Sequence, residues 1–142
     1  MPEPVPGPDD VVVEVEAAGL NLLDSKLRNG EFKPILPYKT PFVLGHDLAG
    51  TIVKVGAKVR RFKPGDTVYA RPRDGQIGAF AERIAVKEAD LAPKPANLSM
   101  AEAASIPLVG LTAWQVLVER AQIKPRQKVL IHAGSGGVGT FA

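Results

Sequence analysis

Gly134-Ser135-Gly136-Gly137-Val138-Gly139 follows closely on the apolar run Val129-Leu130-Ile131. The spacing is G-x-G-x-x-G, in which the first glycine makes a tight turn, the second lets backbone approach a pyrophosphate, and the third lets helix and strand pack. Because residues 128–132 have the pattern of a buried strand, the context predicts a strand, a turn and then a helix. The N-terminus of that helix would attract a dinucleotide. A purely structural glycine turn is the alternative.

Composition narrows the function classes. The chain has 142 residues, of which 45% are hydrophobic, a net charge of +3 and no cysteine. This length and hydrophobic content are enough for one domain with a core. The sequence has no basic run with interleaved aromatic residues, the pattern that would indicate nucleic-acid binding. No apolar stretch approaches the length that spans a membrane. We therefore expect a soluble, cytoplasmic protein without nucleic-acid or membrane partners.

The first two-thirds of the chain have strand patterns. Val11, Val13, Val15 and Ala17 alternate with other residues on period two, which predicts a half-buried strand. Further strands are predicted over residues 49–55, 67–70 and 80–86, separated by glycine and proline turns. Short strands at such intervals favour a barrel or a sandwich.

The last third begins with a helical pattern. Ser99 and Glu102 have the spacing of a capping box, and Pro107 should interrupt the helix that follows. Beyond Pro107, one predicted helix face carries Leu111, Trp114, Leu117 or Val118, and Ala121. This periodicity predicts that Trp114 packs in the core.

Five motifs together resemble a known superfamily. In chain order they are Ala17-Ala18-Gly19-Leu20-Asn21-Leu22-Leu23-Asp24, Leu44-Gly45-His46-Asp47-Leu48-Ala49-Gly50, Phe62-Lys63-Pro64-Gly65-Asp66-Thr67-Val68, Gly110-Leu111-Thr112-Ala113-Trp114 and the glycine loop with the preceding Ala133. The chain resembles the medium-chain dehydrogenase/reductase superfamily, and within it the zinc-free quinone oxidoreductase branch that includes zeta-crystallin.

The resemblance implies a mixed α and β fold with two parts. Residues 1–98 would form a GroES-like β-barrel catalytic domain, and residues 99–142 would form connecting helices and the first helix, strand and glycine loop of a Rossmann cofactor domain. Family members carry an additional β-hairpin before the segment that begins this sequence, and most of the Rossmann sheet after the glycine loop. The resemblance therefore implies a fragment, whose unpaired strand at residues 128–132 and short end at residues 140–142 we expect to be disordered, rearranged or covered by another chain.

Zinc alcohol dehydrogenases are the best-known relatives, and their three catalytic ligands align with Asn21, His46 and Leu108. A catalytic zinc site needs three protein ligands, and only the histidine remains here. We therefore expect no metal, and we interpret His46 as a turn or core histidine that is hydrogen-bonded to backbone.

The resemblance also assigns site residues. Asn21 would be the catalytic contact, touching the nicotinamide end of the cofactor or the substrate oxygen, and Thr112 would lie beside the nicotinamide. Gly134, Ser135, Gly136, Gly137, Val138 and Gly139 would lie under the pyrophosphate. A tyrosine common in quinone oxidoreductases is replaced by Lys26. From the residues alone, Asn21 could equally be a loop cap, and Asp24 is interpreted as a helix N-cap.

Two classes of function follow. The first is an NAD(P)H-dependent, zinc-independent oxidoreductase that reduces quinones or α,β-unsaturated carbonyls by hydride transfer. Its cofactor is expected to be NADP, with NAD not excluded, and the complete protein is expected to be a homo-oligomer. The second is a non-catalytic structural or interaction role, or an inactive fragment. A zinc-dependent alcohol dehydrogenase is a weaker third alternative.

Overall fold

A five-stranded antiparallel sheet forms the centre of the computed structural model, which describes residues 3–142. The strands are β1 (Asp10–Gly19), β2 (Asp47–Val55), β3 (Thr67–Ala70), β4 (Arg83–Lys87) and β5 (Leu91–Pro93). Their order is β4-β1-β2-β3-β5. The mixed α and β class is confirmed. The sheet is not closed into a barrel, because among residues 3–142 no strand joins β4 to β5.

The main core lies against β1 and β2. The predicted alternation in β1 holds from Glu14 onward, but Val11, Val12 and Val13 are all buried. Both faces of this end of the strand are therefore covered, and hydrophobic side chains are favourable on both. The apolar side chains that pack together here include Val11, Val13, Leu48, Ile52, Val68, Ile84 and Val86.

The other predicted strands are found with small changes. Residues 49–55 and 67–70 lie in β2 and β3, as expected. The strand predicted over 80–86 begins only at Arg83, because Phe80 belongs to a loop that pairs with the segment before β2. There the Phe80 N–H donates to the Leu44 carbonyl at 2.9 Å.

Residues 3–142 contain four short α-helices: α1 (Leu22–Arg28), α2 (Met100–Ala104), α3 (Pro107–Trp114) and α4 (Gly137–Phe141). A π-helical turn, Gln115–Arg120, continues α3. The predicted capping box is confirmed, since the Ser99 hydroxyl accepts from the Glu102 N–H at 3.2 Å and the Glu102 carboxylate accepts from the Ser99 N–H at 2.8 Å. Pro107 separates α2 from α3, as predicted. Within residues 3–142, no helix has the length and apolar character needed to cross a membrane.

Two predictions for the C-terminal region are wrong. Trp114 is 57% exposed rather than packed in the core, and residues 128–132 form no strand. The loss of this strand agrees with the rearrangement that was the other expectation for the segment. Full burial of both features would need a further surface, because residues 3–142 leave them largely exposed. A strand without a neighbour leaves its backbone groups unpaired and is not formed.

The end of the chain is more ordered than we expected. We expected residues 140–142 to be disordered, rearranged or covered by another chain, but residues 140 and 141 belong to the helix Gly137–Phe141. The helix is stabilised by packing, because a Cβ added at Gly137 would lie 2.9 Å from Val109 Cγ1 on α3. Tertiary contact thus offsets the nucleation cost that makes such a short helix unstable alone.

Candidate functional site

The candidate site begins at the N-terminus of α1. Asn21 is the N-cap residue, with extended backbone at φ −121° and ψ 150°. Asp24 is the third residue of the helix, and its Oδ2 accepts from the Asn21 N–H at 3.0 Å. The prediction that Asp24 is the N-cap is therefore wrong by three residues. Asn21 takes that position, and its side chain donates to Asp47 rather than making the Asx-turn hydrogen bonds of the loop-cap alternative.

A buried hydrogen-bonded group joins α1 to the segment before β2. Oδ1 of Asp24 accepts from the Gly45 N–H at 3.0 Å and lies 2.7 Å from Nδ1 of His46. Gly45 has φ +108°, a conformation that residues with a side chain rarely adopt. His46 is fully buried, as expected for a core histidine, but its partner is a carboxyl group rather than backbone. Its Nε2 is buried and has no hydrogen-bond partner among residues 3–142.

Asp47 is the functional candidate that the sequence analysis missed. Its side chain is buried, Oδ2 accepts from the Asn21 Nδ2 at 2.9 Å, and Oδ1 accepts from the Leu108 N–H at 2.8 Å. Burial raises the pKa of Asp47 to about 6, and the hydrogen bonds from Asn21 and Leu108 offset only part of that rise. An acidic residue directly before the apolar run of β2 was the available signal.

Thr112 is connected to the same group through α3. Its hydroxyl donates to the Leu108 carbonyl at 2.7 Å, one turn earlier in the helix. Asn21 and Thr112, both predicted site residues, are thus linked through Asp47 and Leu108. They do not line the same hollow.

Thr112 and Asn21 line two different cavities. Thr112 lines a cleft of about 830 Å³ between α3 and the edge of the sheet, together with Tyr69 and Trp114. Asn21 lines a pocket of about 390 Å³ with Leu44 and Phe80. The structure therefore brings the two predicted residues into one hydrogen-bonded network without giving them a common cavity.

The glycine loop leads into α4 as predicted, although no strand precedes it. Gly136 is the N-cap residue of α4. A Cβ added at Gly139 would lie only 2.6 Å from Cα of Gly134 and would also clash with the Ala133 carbonyl. Only glycine allows this approach, which brings the first turn of α4 against the start of the loop and not against a strand.

Zinc, which the best-known relatives carry, does not fit these residues. Of the three aligned ligand positions, Leu108 has no donor side chain, and the amide nitrogen of Asn21 is directed to Asp47. No group of three or more His, Cys, Asp and Glu side chains within residues 3–142 could hold a metal ion.

Comparisons with known proteins agree with this fold. Residues 7–96 match the family described as the alcohol dehydrogenase GroES-like domain. The chain is 40% identical to the chloroplastic quinone oxidoreductase QR1 of Triphysaria versicolor, over all of this chain and 45% of that protein. It is 42% identical to the chloroplastic NADPH-dependent alkenal/one oxidoreductase of Arabidopsis thaliana, over 94% of this chain and 36% of that protein.

A solved structure extends the likeness to the whole chain. An alcohol dehydrogenase superfamily protein from Novosphingobium aromaticivorans superposes with a TM-score of 0.94 at 45% identity, over 99% of this chain and 43% of the other. The chain thus spans less than half the length of these relatives. The expected likeness to medium-chain dehydrogenases and reductases is confirmed. The chain belongs to the alcohol dehydrogenase GroES-like domain family.

Proposed function

We propose that the protein containing this chain is a nicotinamide-dependent oxidoreductase that reduces quinones or α,β-unsaturated carbonyls by hydride transfer without zinc. The observation that carries the proposal is the group around Asp47, where two aligned zinc-ligand positions, Asn21 and Leu108, are hydrogen-bonded to a buried carboxyl group. The activities in the names of the two relatives support this substrate class. We propose NADP as the cofactor, with NAD not excluded.

The glycine loop would bind the cofactor. The loop of residues 134–139 would lie under the pyrophosphate, with N–H groups of the first turn of α4 facing it, and Gly136 would let the backbone approach it closely. The dinucleotide supplies the hydride when bound, so the protein's own task is to position it and to supply hydrogen bonds.

Asn21 and Thr112 would act at the nicotinamide end. An enolate or hydroquinone oxygen that develops charge needs hydrogen-bond donors, and the Asn21 amide has a second N–H besides the one given to Asp47. The Thr112 hydroxyl proton is donated to Leu108, so this side chain would offer an acceptor to its neighbour. We propose Asn21 as the catalytic contact and Thr112 as a cofactor contact.

The test is a steady-state assay of the full-length protein that contains this chain. NADPH oxidation should proceed with 1,4-benzoquinone or an alkenal as acceptor and should be unchanged by prolonged incubation with a chelator. Loss of turnover with the chelator and its recovery with zinc would support the zinc alcohol dehydrogenase alternative. NADPH binding without turnover of either acceptor class would support a non-catalytic role.

A further inference from the structure

We infer that Asp47 is a positioning residue for the proposed hydride-transfer site, holding the Asn21 amide and the first turn of α3 in a fixed relation. The inference rests on the proposed function. It assigns to a carboxyl group of the protein the task of joining positions 21 and 108, which a metal ion would join if both carried ligands.

The connection is continuous from one predicted site residue to the other. Asn21 donates its Nδ2 to one oxygen of Asp47 at 2.9 Å, and Leu108 donates its N–H to the other at 2.8 Å. The Leu108 carbonyl then accepts from Thr112 at 2.7 Å. Three short hydrogen bonds therefore separate the two residues.

The donor and acceptor pattern favours a carboxyl group over an amide. Both groups that approach Asp47 are N–H donors, so the side chain must accept at both of its oxygens. Asparagine has the same shape but only one acceptor, and its NH₂ group would face one of the two donors. The Leu108 N–H lies in the first turn of α3 and has no carbonyl partner within the helix. Replacement of the carboxyl group by an amide therefore leaves either the Asn21 side chain or the Leu108 N–H without its acceptor.

The charge and the burial of Asp47 argue against a purely structural explanation. A carboxyl group buried to this extent is expensive, and an apolar side chain often stabilises a buried position equally well. Asp24 and His46 already join α1 to the start of β2. What Asp47 adds is the side-chain bond to Asn21, which fixes the direction of an amide that lines a pocket.

The experiment compares Asp47→Asn, Asp47→Glu and the control Asp66→Asn in the full-length protein. Asp66 pairs with Lys63 on the surface, so the control removes a carboxylate that makes no hydrogen bond to Asn21. Three quantities are measured: solvent exchange of the Asn21 side-chain amide protons by NMR without cofactor, the Kd of NADPH, and the single-turnover rate of hydride transfer to 1,4-benzoquinone.

Asp47→Asn should speed exchange of the Asn21 amide protons and slow hydride transfer by at least about tenfold, because a displacement near 1 Å at a reacting group has effects of this size. The Kd of NADPH should change less than about twofold, since the glycine loop sets it. Asp47→Glu keeps both acceptors on a longer side chain and should slow transfer by about threefold or more. Asp66→Asn should match the parent protein.

Hydride transfer within twofold of the parent protein in a folded Asp47→Asn variant would overturn the inference. If that variant does not fold, unchanged transfer in Asp47→Glu overturns it instead. Unchanged exchange of the Asn21 amide protons would also overturn it. If the parent protein itself transfers no hydride, the proposed function fails, and the exchange measurement still decides whether Asp47 holds Asn21.

Discussion

Asp24 is a buried side chain on which two segments of the chain depend. Its two oxygens interact with the Asn21 N–H, the Gly45 N–H and the His46 ring, all within 3.0 Å. Sequence spacing placed this residue near a helix start but could not show its long-range partners, because Gly45 lies 21 positions later in the chain. The residue therefore anchors α1 rather than only capping it.

Asp24→Ala should lower the free energy of unfolding by about 3 kcal/mol or more, because it leaves buried donors without an acceptor. Urea unfolding followed by circular dichroism measures the change. Asp74→Ala is the matched control, since Asp74 pairs with Arg71 at 2.6 Å and its side chain is 48% exposed. The control should change stability little. An equal loss in both variants would show that Asp24 has no special role.

Asp47 should make stability depend on pH in a defined direction. Burial raises its pKa from 3.8 to about 6, and the hydrogen bonds from Asn21 and Leu108 oppose this rise. The folded chain therefore binds a proton at Asp47 more tightly than the unfolded chain. This contribution to stability is complete below about pH 4 and is lost as the pH rises through about 6.

Urea unfolding of the parent protein and of Asp47→Asn, repeated from about pH 4 to 8, should show this loss. The free energy of unfolding of the parent minus that of the variant should fall up to about pH 6 and then level off. The carboxyl carbon of Asp47 should titrate by NMR with a midpoint near 6. A difference that increases with pH would mean that folding lowers the pKa instead.

At the scale of elements, local sequence signals correctly predicted the elements that local interactions form. The Ser99 capping box, the break at Pro107 and strands β2 and β3 follow from turn residues, caps and hydrophobic periodicity. Hydrophobic periodicity also predicted that Trp114 is buried and that residues 128–132 form a strand. Trp114 is exposed, and residues 128–132 are irregular. Burial of these residues depends on a neighbouring surface, and periodicity reports only the preference for one.

The candidate site was predictable in part for the same reason. The glycine loop is contiguous, so its spacing predicted both the turn and the start of α4. The network around Asp47 joins residues 21, 47 and 108, which are far apart in sequence. No local pattern identifies the partners of Asp47. Its neighbours in sequence show only an acidic residue at the start of a strand.

The glycine loop should tolerate a methyl group at its first glycine and not at its last. A Cβ at Gly134 would meet only the Ile131 carbonyl at 3.9 Å, whereas one at Gly139 would lie 2.6 Å from Gly134 Cα. In the full-length protein, Gly139→Ala should raise the Kd of NADPH by at least about tenfold, and Gly134→Ala should raise it less. Fluorescence titration measures both. A Gly139→Ala variant that binds NADPH as tightly as the parent protein would contradict a cofactor role for the loop.

At the scale of the molecule, the sheet and the glycine loop differ in how well they are supported. Val11, Val13, Leu48 and Val68 are fully buried, while residues 121–138 are exposed throughout. The folded core therefore lies in the GroES-like part of the chain. The loop is held mainly by contacts between α4 and α3.

The 142-residue chain alone should accordingly bind NADPH weakly or not at all. Without a strand before the loop, the backbone N–H groups that would face a pyrophosphate are not held in place. Titration of the isolated chain with NADPH, followed by nucleotide fluorescence, tests this. Saturable binding with a micromolar Kd would show that the loop and α4 suffice for the site.

The bond from Leu108 to Asp47 also sets how long one amide proton of α3 survives in heavy water. Amide protons exchange when their hydrogen bonds open, and those tied to a core exchange only when the core opens. Leu108 is bonded to the buried start of β2, whereas Val116 and Val118, in the turn that continues α3, are exposed. Deuterium uptake should therefore be slow at Leu108, at the rate of the β2 amides, and fast a few residues later. One continuous helical segment would thus contain the boundary between two units that open independently.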